Sequence, residues 1–375
     1  MIEIKDQFVC TISVGPYKDF ILTEDLTELV YFESAGLVIP FLSVSFLLRD
    51  TAVLKYLNEG NVVNVSMGRD ELNLCAMQFM LISDISEKNY TLGSNVTIKG
   101  ILHLPKFIFL CKEDNYNDTS INAIKAIGNK HFSVITNVAK TFDKQDWFQT
   151  GTTDRQMLRD IWLHSYINEN TFLAVGFDSN TLRVKDIRRA ILEDTPWEFS
   201  MNKVPRNESS PIVHFGQFWT KNDYGNINSC IGRGLVPITF NVDTGESSVL
   251  SNKLKNFTVV GSNKLNLLTT DVKKYDYSYI SDEVNSTYTL AYRQNLRNLM
   301  LFSSYKIYIP VAGPFKQFHL LDSAQLEETS VGTQAAGRSF ITRILYKIKD
   351  RRLYTNLTLC KEAPNELRGE NLLST

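Results

Sequence analysis

The sequence predicts a mainly β protein with α+β insertions, and three observations carry that prediction. Period-two alternation of apolar residues recurs through the first ~110 residues. It returns in a long hairpin pattern near the C-terminus. Sustained helical spacing is confined to residues ~113–205. A chain of 375 residues is long enough for two to four compact units, and 43% hydrophobic with 22% charged residues supplies a core and excludes disorder as the main state.

Taken in order, residues 8–14 alternate weakly, residues 39–48 form a strong apolar run, and residues 62–67 form a third strand ending in the turn Gly68, Arg69, Asp70. Leu72, Leu74 and Ala76 open the return strand at period-two spacing, and Val96 and Ile98 share a face in the next. Asp50 and Thr51 cap a short helix through Leu57, stopped by Gly60. Five or more strands with one short helix suggest a small antiparallel barrel, closed or nearly so. Residues 112–118 are charged and Asn-rich and read as a linker.

After the linker, Thr119 and Ser120 form an N-cap pair before Ile121, Ile124 and Ile127, and Gly128 closes that helix. Thr152 or Thr153 caps a second helix. Asp154 sits in its first turn, and Met157, Leu158, Ile161 and Trp162 form one apolar stripe. A strand at 172–177 completes a mixed α/β unit. Strands return at 213–219 and 235–240, whereas 243–298 is polar and Tyr-rich with little periodicity. Near the end, Phe340, Thr342, Ile344, Tyr346 and Ile348 face one way. After a turn at Lys349, Asp350, Arg351 and Arg352, the residues Leu353, Thr355, Leu357 and Leu359 alternate on the returning strand.

Charge and motifs exclude several functions. Forty basic against 41 acidic residues exclude a nucleic-acid binder acting through bulk positive charge. The five cysteines lie far apart without zinc spacing and read as reduced, mostly buried thiols. The N-terminal residues are charged where a signal peptide is apolar, and the run 35–48, interrupted by Pro40, is shorter than the ~20 residues a bilayer needs. A protein soluble and intracellular when made is expected. No phosphate loop, dinucleotide fingerprint, zinc-protease motif or nucleophile elbow occurs, and the five histidines are isolated. Pairs such as Glu327 with Glu328 read as solvated surface. No catalytic residue, cofactor or metal is expected. The basic group Lys347, Lys349, Arg351 and Arg352 suits docking of an acidic partner surface as well as plain solubility. Residues 1–112 carry nine basic and thirteen acidic side chains, leaving the remainder at +3.

The order of four stretches resembles the baseplate hub protein of contractile-tailed bacteriophages, the T-even hub type, and more distantly the hub half of type VI secretion spike proteins. These stretches are 31–40 (YFESAGLVIP) leading to 57–63, 119–124 (TSINAI), 146–149 (DWFQ) with 164–167, and 337–344 with 354–359. The resemblance implies two tube-like antiparallel β-barrel domains plus two accessory domains. The first barrel would be residues 1–112 and the second 209–242 with 307–362. The accessory units would be 113–208 and the polar insertion 243–306, with 363–375 as a tail.

It further implies a homotrimer whose six barrels adapt a sixfold tail tube to a threefold central spike. Tape measure and DNA would pass through the channel without specific binding, other baseplate proteins would surround it, and the location would be the virion. On this reading Ser34, Ala35, Gly36, Leu37 and Pro40 are core or ring contacts rather than chemistry. The rival readings are a receptor- or carbohydrate-binding tail protein and a tail-associated cell-wall hydrolase.

Overall fold

The computed structural model describes residues 8–22, 24–48, 50–68, 74–82, 86–90, 93–168, 171–178, 180–203, 212–221, 235–249, 274–280, 291, 295, 303–310, 315–332, 335–349 and 352–361. The N-terminal strands follow from their alternation. In β1 (Val9–Val14) and β4 (Phe41–Leu48) every second side chain is buried, as period two requires of a sheet with one covered face. Between β4 and β5 (Val62–Gly68) a 3-10 helix spans Thr51–Tyr56. The Asp50 carboxylate caps it by accepting from the Ala52 N–H at 2.8 Å, and Gly60 turns the chain at φ 84°. In β6 (Cys75–Leu81) the period is as expected but the covered face is the other one. Met77, Phe79 and Leu81 are buried while Leu74 and Ala76 are exposed, because Val63 and Val65 of β5 face Phe79 and Met77 across the ladder. Leu72, Arg69 and Asp70 lie outside the described residues.

These strands join β2 (Tyr17–Ile21), β3 (Leu26–Ser34), β7 (Ser86–Tyr90) and β8 (Gly93–Leu102) in the order β3-β4-β8-β6-β5-β1-β2, with β7 beside β8. Among the described residues this run does not close on itself. The free edge of β3 pairs instead with the C-terminal hairpin, so a single fifteen-stranded sheet runs through both halves of the chain.

The hairpin is β22 (Gly337–Lys349) and β23 (Arg352–Lys361). β22 has two partners along one edge. Its first residues pair with β21 (Ser323–Leu326). Its later ones pair with β3, from Arg343 opposite Ser34 to Lys349 opposite Glu28. The change of partner falls at a bulge, where Ile341 faces Leu359, Arg343 faces Thr358 and Thr342 is the extra residue. That bulge corrects one expectation. Ile341 and Ile344 share the face of Leu359 and Leu357, whereas Phe340 opposes Cys360 on the other side. One inserted residue reverses the phase of everything before it.

The sheet continues through β20 (Ser303–Ile309) to β16 (Gln217–Lys221), and on the other side of β21 through β14 (Trp197–Ser200) to β15 (Ile212–His214). The single strand expected at 213–219 is therefore two, broken at Phe215 and Gly216. The strand β17 (Leu235–Asn241), expected in the second barrel, instead lies between β18 (Ser247–Val249) and β19 (Lys274–Ile280) in a separate three-stranded sheet. Most of the polar insertion lies outside the described residues.

The mixed unit contains the expected helices. α1 is the short turn Pro105–Ile108. α2 (Ser120–Gly128) buries Ile121, Ile124 and Ile127, and α3 (Asp154–His164) buries Met157, Leu158, Ile161 and Trp162 behind a capping box of Thr153 and Gln156. Thr119 is the N-cap of α2, but the bond to the helix start comes from far away, with the Asp143 carboxylate accepting from the Ser120 N–H at 3.0 Å. The expected linker is the strand β9 (Cys111–Asp118). It pairs antiparallel with β11 (Gln145–Thr153), and Trp147 Nε1–H donates to the Asp118 carbonyl at 3.0 Å. Its side chains are polar because neither face is fully covered. A second small sheet, β10-β13-β12, is built from Ser133–Thr136, Thr181–Asp186 and Leu173–Phe177, and α4 (Ile187–Glu193) follows it. Of the cysteines described, Cys10 and Cys360 are buried, Cys75 is half-buried and Cys111 is exposed, all with free thiols.

Ile344 is fully buried at the point where β22 meets both β3 and β23. Ile344→Ala is expected to cost about 2–5 kcal/mol, read as a lower urea midpoint. Phe142→Ala, at an exposed ring, is expected to leave the midpoint within experimental error.

Candidate functional site

The five residues expected as core or ring contacts, Ser34 to Pro40, lie at the end of β3 where three parts of the chain meet. Leu37 and Pro40 are buried, and the backbone turns through Gly36 at φ 90°, which glycine tolerates, and Leu37 at φ 60°, a left-handed conformation uncommon for a residue with a Cβ. Three peptide groups of this turn have distant partners. The Ala35 N–H donates to the Thr342 carbonyl at 2.8 Å, tying the turn to the bulge of β22. The Gly36 N–H donates to Val175 on β12 at 2.7 Å. The Arg155 guanidinium, on α3, donates through Nε and one terminal nitrogen to the Leu37 carbonyl, both at 3.2 Å. Gly176 sits against this turn, where a Cβ would approach Leu320 to 3.0 Å.

Beneath the turn is a buried ionic cluster. The Tyr31 hydroxyl donates to Glu33 Oε1 at 2.6 Å, and Lys316 Nζ lies 3.4 Å from the same oxygen and above the Tyr31 ring. Asp178 faces His319 at 3.5 Å and Arg183 at 4.0 Å, and Arg183 reaches Asp322 at 3.5 Å. Burial raises the Glu33 pKa, and the Lys316 ammonium and the Tyr31 hydroxyl offset part of that rise. Burial would also raise Asp178, but the bond from His319, the field of Lys316 and the Asn180 N–H overcome it and hold the carboxyl below its usual range. Burial, then the Glu33 charge, push the Tyr31 phenol well above 10.0.

The apolar side of the cluster is aromatic. Phe315 packs on Tyr346 at 4.9 Å and on Tyr31 and Phe8 at 6.0 Å, while Tyr31 stacks on Tyr346 at 6.3 Å. Residues 315–322 thus reach from the second half of the chain into the core of the first.

Outlying contacts reinforce the junction. Arg338 on β22 donates to the carbonyls of Ile191 and Asp194, both at 2.9 Å. Asn295 caps the end of α3 by donating to Trp162 and Ser165 while accepting from the Leu173 N–H. Asp154 is fully buried and bound by Lys112 and His131, each at 2.6 Å, and by Gln149. Glu327, expected as solvated surface, accepts from Ser200, Lys203 and Ser330, and these bonds hold its pKa at about 2. It binds the end of β14 to the short helix α5 (Glu328–Val331).

The basic group is placed elsewhere. Lys347 pairs with Glu28, Lys349 and Arg352 are exposed at the hairpin end, and Arg351 lies outside the described residues. Among the described residues no three His, Cys, Asp or Glu side chains are grouped to hold a metal, and no helix is long and apolar enough to cross a membrane. The chemistry available to the junction is mechanical. It fixes charges and peptide groups from three parts of the chain in one geometry.

The fold of this chain is similar to those of solved phage tail and secretion-system proteins. One similar structure is a tail protein from Neisseria meningitidis MC58, with a TM-score of 0.56 at 11% identity over 95% of this chain and 97% of that one. Another is the 43 kDa tail protein of prophage MuSo2 from Shewanella oneidensis, at 0.53 and 10% identity over 96% and 100%. A third is an Escherichia coli component of the type VI secretion system, itself similar in structure to tail proteins of bacteriophage T4, at 0.51 and 8% identity over 92% and 74%. No protein-family model and no curated protein sequence matches the chain. The resemblance read from the sequence thus holds at the level of fold.

Removing Lys316 leaves the Glu33 carboxylate buried without its cation. Lys316→Met is expected to cost about 3–5 kcal/mol at neutral pH. Without the ammonium the folded-state pKa of Glu33 rises further above its unfolded value, so the fold binds more protons than the unfolded chain between the two. The deficit therefore shrinks as pH is lowered through that window, and urea melts across pH 4–8 read it out.

Proposed function

We propose that this chain is the structural hub of a phage tail baseplate. Three copies form a ring that adapts the sixfold tail tube to the threefold central spike and leaves a bore for tape measure and DNA. The observation that carries this reading is the extent of the fold match, which takes in nearly the whole of this chain and of two tail proteins rather than a shared module. Residues 1–112 supply one tube-like barrel domain, and 209–242, apart from the strand Leu235–Asn241, with 307–362 the other. The strand Leu235–Asn241 is grouped with the insertion 243–306. Residues 113–208 form the accessory unit on the outside, and the tail 363–375 meets spike or neighbouring baseplate proteins.

Two features of the fold support the proposal. The junction at Ser34 to Pro40 makes the two β units one rigid body, which a subunit presenting two equivalent positions in a sixfold ring needs. The terminal strands β2 and β16 each have a single partner among the described strands, leaving edges that neighbouring copies would cover. The structures it resembles are tail and secretion components, which favours a structural role over catalysis.

Native mass spectrometry and negative-stain imaging, with the cognate spike co-expressed, are expected to give three-chain rings with a central hole. Compact monomers in the presence of spike would overturn the hub. Binding of the isolated chain to host cells or sugars would favour the receptor reading, and clearing of a peptidoglycan suspension the hydrolase.

A further inference from the structure

The large sheet has one face turned to its core and one turned away, and cross-strand register gives the composition of the outer face. One row across the strands reads Trp219, Lys306, Thr358, Arg343, Ser34. The next reads Tyr308, Asn356, Leu345, Phe32, Phe41, Ile101. A third reads Tyr354, Lys347, Val30, Ser43, Lys99, and a fourth Arg352, Lys349, Glu28, Ser45, Thr97. Apart from Ser34 and Thr358, every one of these side chains is half-buried or exposed, whereas their neighbours along each strand point into the core.

Among the described residues of these four rows, six cations therefore stand with one carboxylate, Glu28, which is paired with Lys347. Lys99, Lys306, Arg343, Lys349 and Arg352 make no ion pair among the described residues. At ~3.4 Å per residue and ~4.8 Å per strand, Lys347 stands ~14 Å from Arg343 along its strand and ~14 Å from Lys99 across the sheet. The near-zero net charge of the chain conceals this segregation.

We infer that this face contacts the phosphodiester backbone of duplex DNA without reading sequence. Three features select that occupant over an acidic protein surface. Four of the six cations are lysines, which are depleted from protein–protein interfaces. Beside an apolar row of Leu345, Phe32, Phe41 and Ile101, the face carries Ser43, Ser45, Thr97 and Asn356, hydroxyl and amide groups that bond phosphate oxygens. The cations are spread over several strands rather than gathered at one point, as a long polyanion requires. The face is defined by charge and register alone, independent of any ring; in a hub it would be the surface DNA passes over.

The test is fluorescence anisotropy of the full chain with a labelled duplex of arbitrary sequence, about 20 base pairs long. About five free cations predict a slope of log K on log salt near −4.5, so affinity is expected to fall about 500-fold between about 50 and 200 mM salt. Neutralising Lys99→Gln, Arg343→Gln and Lys349→Gln together is expected to make that slope shallower by about 3. Lys106→Gln with Lys140→Gln, exposed lysines away from these rows, is expected to leave it unchanged. Circular dichroism and the urea midpoint establish that each variant is folded. Absence of binding at low salt, loss of binding equal in both variants, or displacement of DNA by polyglutamate at equal charge would each overturn the assignment.

Discussion

The edge of β22 that meets both β21 and β3 is the constraint on which the rest of the molecule depends. A strand has only two edges, and one edge of β22 is taken by its hairpin partner β23. The other is divided at Thr342, where an extra residue bends the strand and transfers it from one neighbour to the next. Because the ladder is shared, the two β units cannot hinge without breaking backbone hydrogen bonds. Each such group left unpaired in the core would cost about 1–3 kcal/mol. The Ala35 N–H on the Thr342 carbonyl closes the position the bulge would otherwise leave open.

Buried charge at the joint has a complementary role. An apolar contact between loop 315–322 and the first unit could slide, whereas Glu33 is paired with Lys316, and Asp178 with His319 and Arg183, in one arrangement, although the Arg183 Nε lacks a hydrogen bond. Ion pairs of this kind contribute little net stability against an apolar alternative, and their desolvation is expensive. What they supply is a unique alignment of three parts distant in sequence. The aromatic shell of Phe315, Tyr346, Tyr31 and Phe8 provides the affinity for that alignment.

Much of the fold was legible in the residues because burial follows simple periods. The alternation in β4, the stripe of α3 and its Thr153 cap need no tertiary knowledge. Other elements had no such signature. The strand Cys111–Asp118 is polar throughout, since its order comes from pairing with β11 and from the helices beside it. The bulge at Thr342 adds one residue and leaves local composition unchanged, so only the pairing reveals it. The two faces of β6 differ by which neighbours cover them, and Ala76 is as plausible a core residue as Met77. At the joint, Glu33 carried a signal, an acid set between Phe32 and the small turn residues in an apolar strand. Its partners Lys316, Asp178 and His319 are scattered single residues with no shared motif. The basic face was visible only in part, since Lys347, Lys349 and Arg352 are neighbours in sequence while Lys99 and Lys306 reach them across other strands.

The pairing of β3 with β22 also sets a timetable for the nascent polypeptide. The edge formed by residues 28–34 emerges early, and its partner begins at residue 337. At translation rates of about 5–20 residues per second, roughly 15–60 s separate the two on the ribosome. Throughout that interval an apolar strand presents bare amide and carbonyl groups, a template for other growing chains. Production of this protein is therefore expected to lean on chaperones that cover the β3 edge until residues 337–349 have been made.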